Sequence, residues 1–165
     1  IEYDNVTTVQ LVYNIFRQRP REKFFSMAAE KNIGLIIRIP LASGLLTGKF
    51  GPDTRFAPGD HRFFNRGGMF FDKGETFAGV PYDAGLRAVS RLKELFPEST
   101  RLAHVALNWI LINGEVSCII PGASSPGQVR SNLEALTFPG FTEEQKRAIT
   151  AIYEEDIKPL VHHLW

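Results

Sequence analysis

Two segments of this chain follow one plan. An apolar, β-branched run ends in Pro and small residues, and a helix-starting signal or a cation follows. The first runs Gly34-Leu35-Ile36-Ile37-Arg38-Ile39-Pro40-Leu41-Ala42-Ser43-Gly44-Leu45-Leu46-Thr47-Gly48-Lys49-Phe50, and the second Val116-Ser117-Cys118-Ile119-Ile120-Pro121-Gly122-Ala123-Ser124-Ser125-Pro126. Short, nearly continuous apolar runs are the mark of parallel strands covered on both faces. Parallel neighbours need a crossover, so the plan commits the chain to an α/β fold. Thr7 to Tyr13 supplies a further strand, and Pro20 to Lys31 a helix with Phe24, Phe25, Ala28 and Ala29 at helical spacing and Asn32 near its stop. With the strand Ile33 to Ile39 this makes a βαβ unit, for which a right-handed crossover is expected.

The loops that end these runs suit anions. Small side chains let a phosphate approach the backbone, and the first turn of a helix presents free N–H groups and the positive end of its dipole. Ser125 is a good N-cap, and Pro126 fits the first turn, where its missing N–H costs nothing.

The remaining chain divides simply. Helices are predicted over Tyr82 to Phe96, broken by Pro97-Glu98-Ser99, and over Thr100 to Ile112. The third strand is Val116 to Ile120, followed by a helix over Pro126 to Leu136. A last helix begins at Thr142, with Glu143, Glu144 and Gln145 in its first turn. Residues 51–81 are rich in Gly, Phe and charge without a steady period, and too long for an ordinary connection. Phe63, Phe64, Phe70, Phe71 and Phe77 argue that this loop folds over the body of the protein. Tyr13, alternating with Leu11, reads as a packing residue.

A formal net charge of +1 gives no reason to expect nucleic acid, and no long apolar span suggests a membrane. Cys118 is the single cysteine. In its apolar run it is expected to be buried, and a chain without a possible internal disulfide suits a cytoplasmic setting. His162 and His163 are adjacent and lack Cys or carboxylate partners at ligand spacing, so no metal site is expected.

Taken together and in order, the motifs resemble the aldo-keto reductase superfamily. Pro40-Leu41-Ala42-Ser43-Gly44-Leu45-Leu46-Thr47-Gly48-Lys49 is similar to the family's strand-seven loop. Ile120-Pro121-Gly122-Ala123-Ser124-Ser125-Pro126, with Gln128, Val129 and Asn132, is similar to its strand-eight loop. Val9-Gln10-Leu11-Val12-Tyr13-Asn14, followed by Arg19-Pro20, is similar to strand six. The resemblance implies a (β/α)8 TIM barrel. A whole barrel typically needs about 250 residues, so the 165 residues here, opening on Ile1, are expected to form one C-terminal segment with three parallel strands and their helices.

The resemblance further implies a nicotinamide cofactor, NADP or alternatively NAD, and a small carbonyl substrate for the intact enzyme. Gln10 matches the residue that hydrogen-bonds the nicotinamide carboxamide. Arg38 stands where many relatives place an aromatic that stacks on the nicotinamide. Pro40, Leu41, Ser43 and Lys49 match the pyrophosphate-facing loop. Gly122, Ser124, Gln128 and Asn132 match positions around the adenosine phosphate and adenine. Some relatives carry Lys and Arg in place of Gly122 and Gln128. Arg55, Arg62 and Arg66 are candidates for the missing cation, Arg62 first, since a guanidinium fork suits a 2′-phosphate. For the 51–81 loop the resemblance implies a cofactor lid, the alternative being a loop packed on the barrel rim. The catalytic Asp, Tyr, Lys and His of the family lie on strands that this segment does not match, so no residue here is assigned to catalysis. The chain alone is expected to be inactive and to need the N-terminal barrel half. Alternatives are a non-catalytic nucleotide-binding or regulatory module, and a truncated product without independent activity.

Overall fold

A computed structural model describes residues 1–164. Three strands, β1 (Thr8–Val12), β2 (Gly34–Arg38) and β3 (Val116–Ile119), form one parallel sheet in the order β1-β2-β3. Helix α1 (Pro20–Glu30) links β1 to β2 and ends, as its sequence suggests, on Asn32 in the left-handed region (φ 52°). The long passage to β3 holds a four-residue helix α2 (His61–Phe64), then α3 (Tyr82–Glu94) and α4 (Leu102–Leu111). After β3 come α5 (Pro126–Glu134), α6 (Glu143–Ile152) and the short α7 (Lys158–Val161). Thr142 and Gln145 close a reciprocal capping box at the start of α6. Between α6 and α7 the helix widens to a π turn at Tyr153–Ile157.

The core lies on one face of the sheet. Leu11, Leu35 and Ile37 are buried against the helices, and Tyr13 is packed between Phe25 (ring centroids 4.7 Å) and Trp109 (5.2 Å). Each such ring contributes roughly 2 kcal/mol by leaving water. Burial pushes the Tyr13 phenol well above its ordinary ionisation range. The role of Tyr13 is therefore packing.

The opposite face is different. Register sets Gln10 beside Ile36 and Ile36 beside Cys118; Gln10 and Cys118 are exposed and Ile36 only half-buried. Two expectations are corrected here. The strands are not covered on both faces, and Cys118 is exposed rather than buried. The reason is positional: helices cover one side of the sheet only, and an apolar run does not reveal whether a second layer sits on it. A bulge between Leu35 and Ile36 lets the Ser117 hydroxyl accept from the Leu35 N–H (3.1 Å), which bends β3 locally. On α5, Val129 and Leu133 also lie exposed, as does Leu136 in the turn that follows it.

The aromatic-rich stretch folds over the body of the protein only in part. Phe77 is buried, and Phe56, Phe77 and Tyr82 form one aromatic cluster. Phe63, Phe70 and Phe71 remain exposed; Phe70 and Phe71 pack edge-on against Phe64.

Candidate functional site

The carboxyl ends of β2 and β3 are where a parallel sheet places its ligands, because loops there are free of the strand hydrogen bonds. The β2 loop is knotted tightly. Of the six non-glycine residues with positive φ among the described residues, five belong here: Ile39 (53°), Ala42 (47°) and Ser43 (54°) in the loop, and Phe77 (53°) and Ala78 (57°) in the segment that covers it. Each such residue is strained by about 1–2 kcal/mol, so tertiary contacts must hold it. Those contacts are present. Arg38 grips Glu75 with both arms of its guanidinium (2.5 and 2.6 Å). The Ser43 hydroxyl donates to the Glu75 carbonyl and accepts from the Phe77 N–H, both at 3.1 Å. Asn14 donates to the Ile39 carbonyl (2.8 Å), tying the end of β1 to the same turn. Pro40 is buried beneath, and Leu41 packs against the core.

Arg62 sits further out on this side. It holds Asp60 in a forked pair (2.9 and 2.5 Å), with its guanidinium carbon 4.7 Å from the Phe56 ring centre. Hydrogen bonds from Arg62 draw the Asp60 carboxyl down from 3.8 to about 2. Arg66 stacks over Tyr82 (4.7 Å). Arg55 is exposed.

The β3 loop is open. Residues 122–130 are all exposed, and what order the loop has is local. The Ser125 hydroxyl caps α5 by accepting from the Gln128 N–H (3.3 Å), and the Gln128 side-chain amide oxygen Oε1 accepts from the Ser124 N–H (2.7 Å). Asn132, one turn on, reaches back to the Gly122 carbonyl (3.4 Å). A Cβ on Gly122 would meet nothing within 4 Å, so the backbone there is open to approach.

Between the loops lies a cleft of about 1160 Å³. It brings together Thr47, Gly48 and Lys49 from the β2 loop and Ser125, Gly127 and Gln128 from the β3 loop. Lys49 and Gln128, paired only by motif in the sequence, thus face one space. Gln10, Arg38, Pro40, Leu41, Ser43, Arg62, Gly122, Ser124 and Asn132 do not line it. Gln10 lies on the uncovered sheet face, one side-chain row before Arg38. Other groups that line the cleft were not picked out by the sequence: Lys93, Glu94, Glu98 and Arg101, which flank the helix break at Pro97–Ser99. That break is their only signal, since a reversal between α3 and α4 must bring their ends together. Glu75, the partner of Arg38, carried no signal at all.

A nicotinamide dinucleotide suits this donor set: a lysine ammonium, a serine hydroxyl, an amide side chain and the first turn of α5 surround a cleft with glycine backbone at its edges. A parallel sheet of three strands with helices and small-residue loops at its carboxyl ends defines an α/β protein. The model of the Aldo/keto reductase family matches residues 2–154, and the chain belongs to that family.

Relatives agree. A probable voltage-gated potassium channel subunit beta from Oryza sativa subsp. japonica is 30% identical over 154 residues, covering 88% of this chain and 43% of its own. The NADH-specific methylglyoxal reductase of Escherichia coli K12 is 26% identical, covering 82% of this chain and 39% of its own. Among solved structures, the glycerol dehydrogenase of Gluconobacter oxydans superimposes with a TM-score of 0.68 at 27% identity, over 91% of this chain and 43% of that one. The chain thus spans less than half the length of these relatives, and its three strands fit part of a TIM barrel.

Proposed function

We propose that this chain carries the dinucleotide-binding part of a carbonyl-reducing oxidoreductase, with NADP the expected cofactor. The single observation that supports it is the shared cleft: Lys49 from one loop and Ser125 and Gln128 from the next open onto one space. The cofactor, when bound, supplies hydride. Lys49 would neutralise the pyrophosphate, while Leu41 and Ser43 shape the turn beside it. Ser124, Gln128 and Asn132, with Gly122 leaving room, would hold the adenosine half. Gln10, on the uncovered face, would orient the carboxamide through an amide that both donates and accepts. Arg38, fixed by Glu75, would wall that end, and residues 51–81 would act as its lid. Substrate and proton donor belong to a barrel half that this chain does not match, so carbonyl turnover by these residues alone is not expected. A cytoplasmic setting is part of the same proposal.

The likeness to probable potassium channel β subunits favours a second reading, a nucleotide-binding regulatory subunit. Both readings need the cleft. They part at turnover by the whole protein: NADPH oxidation that depends on an added aldehyde supports the reductase, and binding without it the regulator. For the cleft itself, titration with NADPH followed by nicotinamide fluorescence should show saturable binding, weakened about tenfold by Lys49→Ala or Gln128→Ala, the scale of one lost hydrogen bond to a charged group. A folded chain that binds no NADPH would overturn both readings.

A further inference from the structure

Residues 65–73 form a turn that holds apolar side chains out in solvent. Asn65 is fully buried at its centre and bonds in four directions. Its amide nitrogen donates to the Phe71 carbonyl (3.2 Å) and the Thr76 hydroxyl (3.3 Å), and its oxygen accepts from the N–H groups of Phe70 (3.0 Å) and Phe71 (3.2 Å). Gly68 is left-handed (φ 76°) and lies against the Lys73 stem, whose Cβ would stand 3.0 Å from an added Cβ there. Phe64 packs edge-on against Phe70 (5.1 Å) and Phe71 (6.2 Å). The turn is braced from within, yet it displays Met69 (81% exposed), Phe70 (67%) and Phe71 (41%). Apolar residues fixed together in an exposed position mark an interaction surface.

The charges beside this tip are mostly positive. Arg66 opens the turn and Lys73 closes it, and among the described residues neither has a carboxylate within 4 Å. Arg66 is exposed, with its Nε on the Arg62 carbonyl (2.7 Å) and its guanidinium over Tyr82. Asp72, the one carboxylate among residues 65–73, accepts from the Gly74 N–H (2.7 Å). The partner should therefore be both apolar and anionic. Size then selects its kind. Three protruding side chains make a patch of about a few hundred Å² at most, well short of the roughly 800 Å² that each side of a stable protein–protein interface buries. A bilayer needs no matching surface: it takes protruding apolar groups below its headgroups and sets the neighbouring cations against its phosphates.

We infer that residues 65–73 are a lipid-docking tip, with Met69 and Phe70 entering the interface of an anionic membrane while Arg66 and Lys73 meet its headgroups. The contact is peripheral, since no helix among the described residues is long and apolar enough to cross a membrane. It is independent of the cofactor reading above.

The test is co-sedimentation of the chain with phosphatidylcholine vesicles that contain or lack phosphatidylserine, circular dichroism confirming that each variant is folded. The chain should pellet with the phosphatidylserine vesicles. Met69→Ser with Phe70→Ser should weaken that binding about tenfold or more, and Lys73→Gln about fivefold, as should a rise in salt for the natural chain. In Met69→Trp, the new indole should shift its emission to the blue on binding and be quenched by brominated acyl chains. A chain that stays in the supernatant, binding that survives the double serine substitution, or an indole that brominated chains do not reach overturns the inference. So does a chain that ignores vesicles but self-associates in sedimentation equilibrium until Met69 and Phe70 are replaced, which would make the tip a contact between copies.

Discussion

The loops after β2 and β3 are written in nearly the same residues, yet they are held in different ways. After β2, five left-handed non-glycine residues are fastened by Arg38 to Glu75 and by Ser43 to Glu75 and Phe77, all contacts across more than 30 residues of chain. After β3, once Ile120 has bonded to the Ile37 carbonyl, residues 122–129 bond among the described residues only to one another and to the first two turns of α5. Composition marks both as turns that an anion can approach. Whether such a turn is rigid before the ligand arrives depends on the rest of the fold. One side of the cleft is therefore preorganised and the other adapts, which lets a long ligand enter against the soft side and register on the hard one.

The comparison can be broken most sharply at Gly44. Its φ is 98° and an added Cβ would stand 2.8 Å from the Phe50 ring, so Gly44→Val should cost about 3 kcal/mol through backbone strain and overpacking together. Thermal melting monitored by circular dichroism measures it; an unchanged midpoint would mean that the turn is not rigid. Next in size is Glu75→Ala. Loss of a forked, half-exposed pair should cost about 1 kcal/mol, but its main effect should be earlier proteolytic cutting within residues 65–79.

On the soft side, Ser125→Ala removes a helix cap and should cost about 1 kcal/mol or less. Because the loop bonds only locally, the change should be confined to amide exchange in α5, leaving the β2 loop untouched. The smallest effect concerns acid. Asp60 has its folded ionisation drawn from 3.8 down to about 2, so its contribution is present above 3.8 and lost as the pH falls towards 2. The difference in urea midpoint between the natural chain and Asp60→Asn should accordingly be largest near about pH 5 and vanish towards about pH 2. A difference that grows on acidification would contradict the Arg62 clasp.

The same contrast explains what the sequence could disclose. The three strands, α1 with Asn32 at its end, the Ser125 cap and the capping box at Thr142 were legible because each rests on neighbours in the chain. The packing of Tyr13 was legible from alternation. The exposure of Cys118 was not, because a strand's composition does not state how many of its faces are covered. Ile39 in a left-handed conformation runs against the preference of a β-branched residue; its carbonyl is held by the Asn14 amide and the Ala42 N–H, contacts that its own residue type does not announce. Of the residues that line the cleft, Lys49 and Gln128 carried a motif. Lys93 and Arg101 were missed, because their place depends on how α3 and α4 turn back on each other.

The central claim is that the β2 and β3 loops act as one dinucleotide site. Amide hydrogen exchange with and without saturating NADPH tests it most directly. The account predicts added protection in residues 47–49 and 122–129 together, larger in the β3 loop because that loop is open beforehand, and no change in α6. Protection confined to one loop, or to neither, would contradict it.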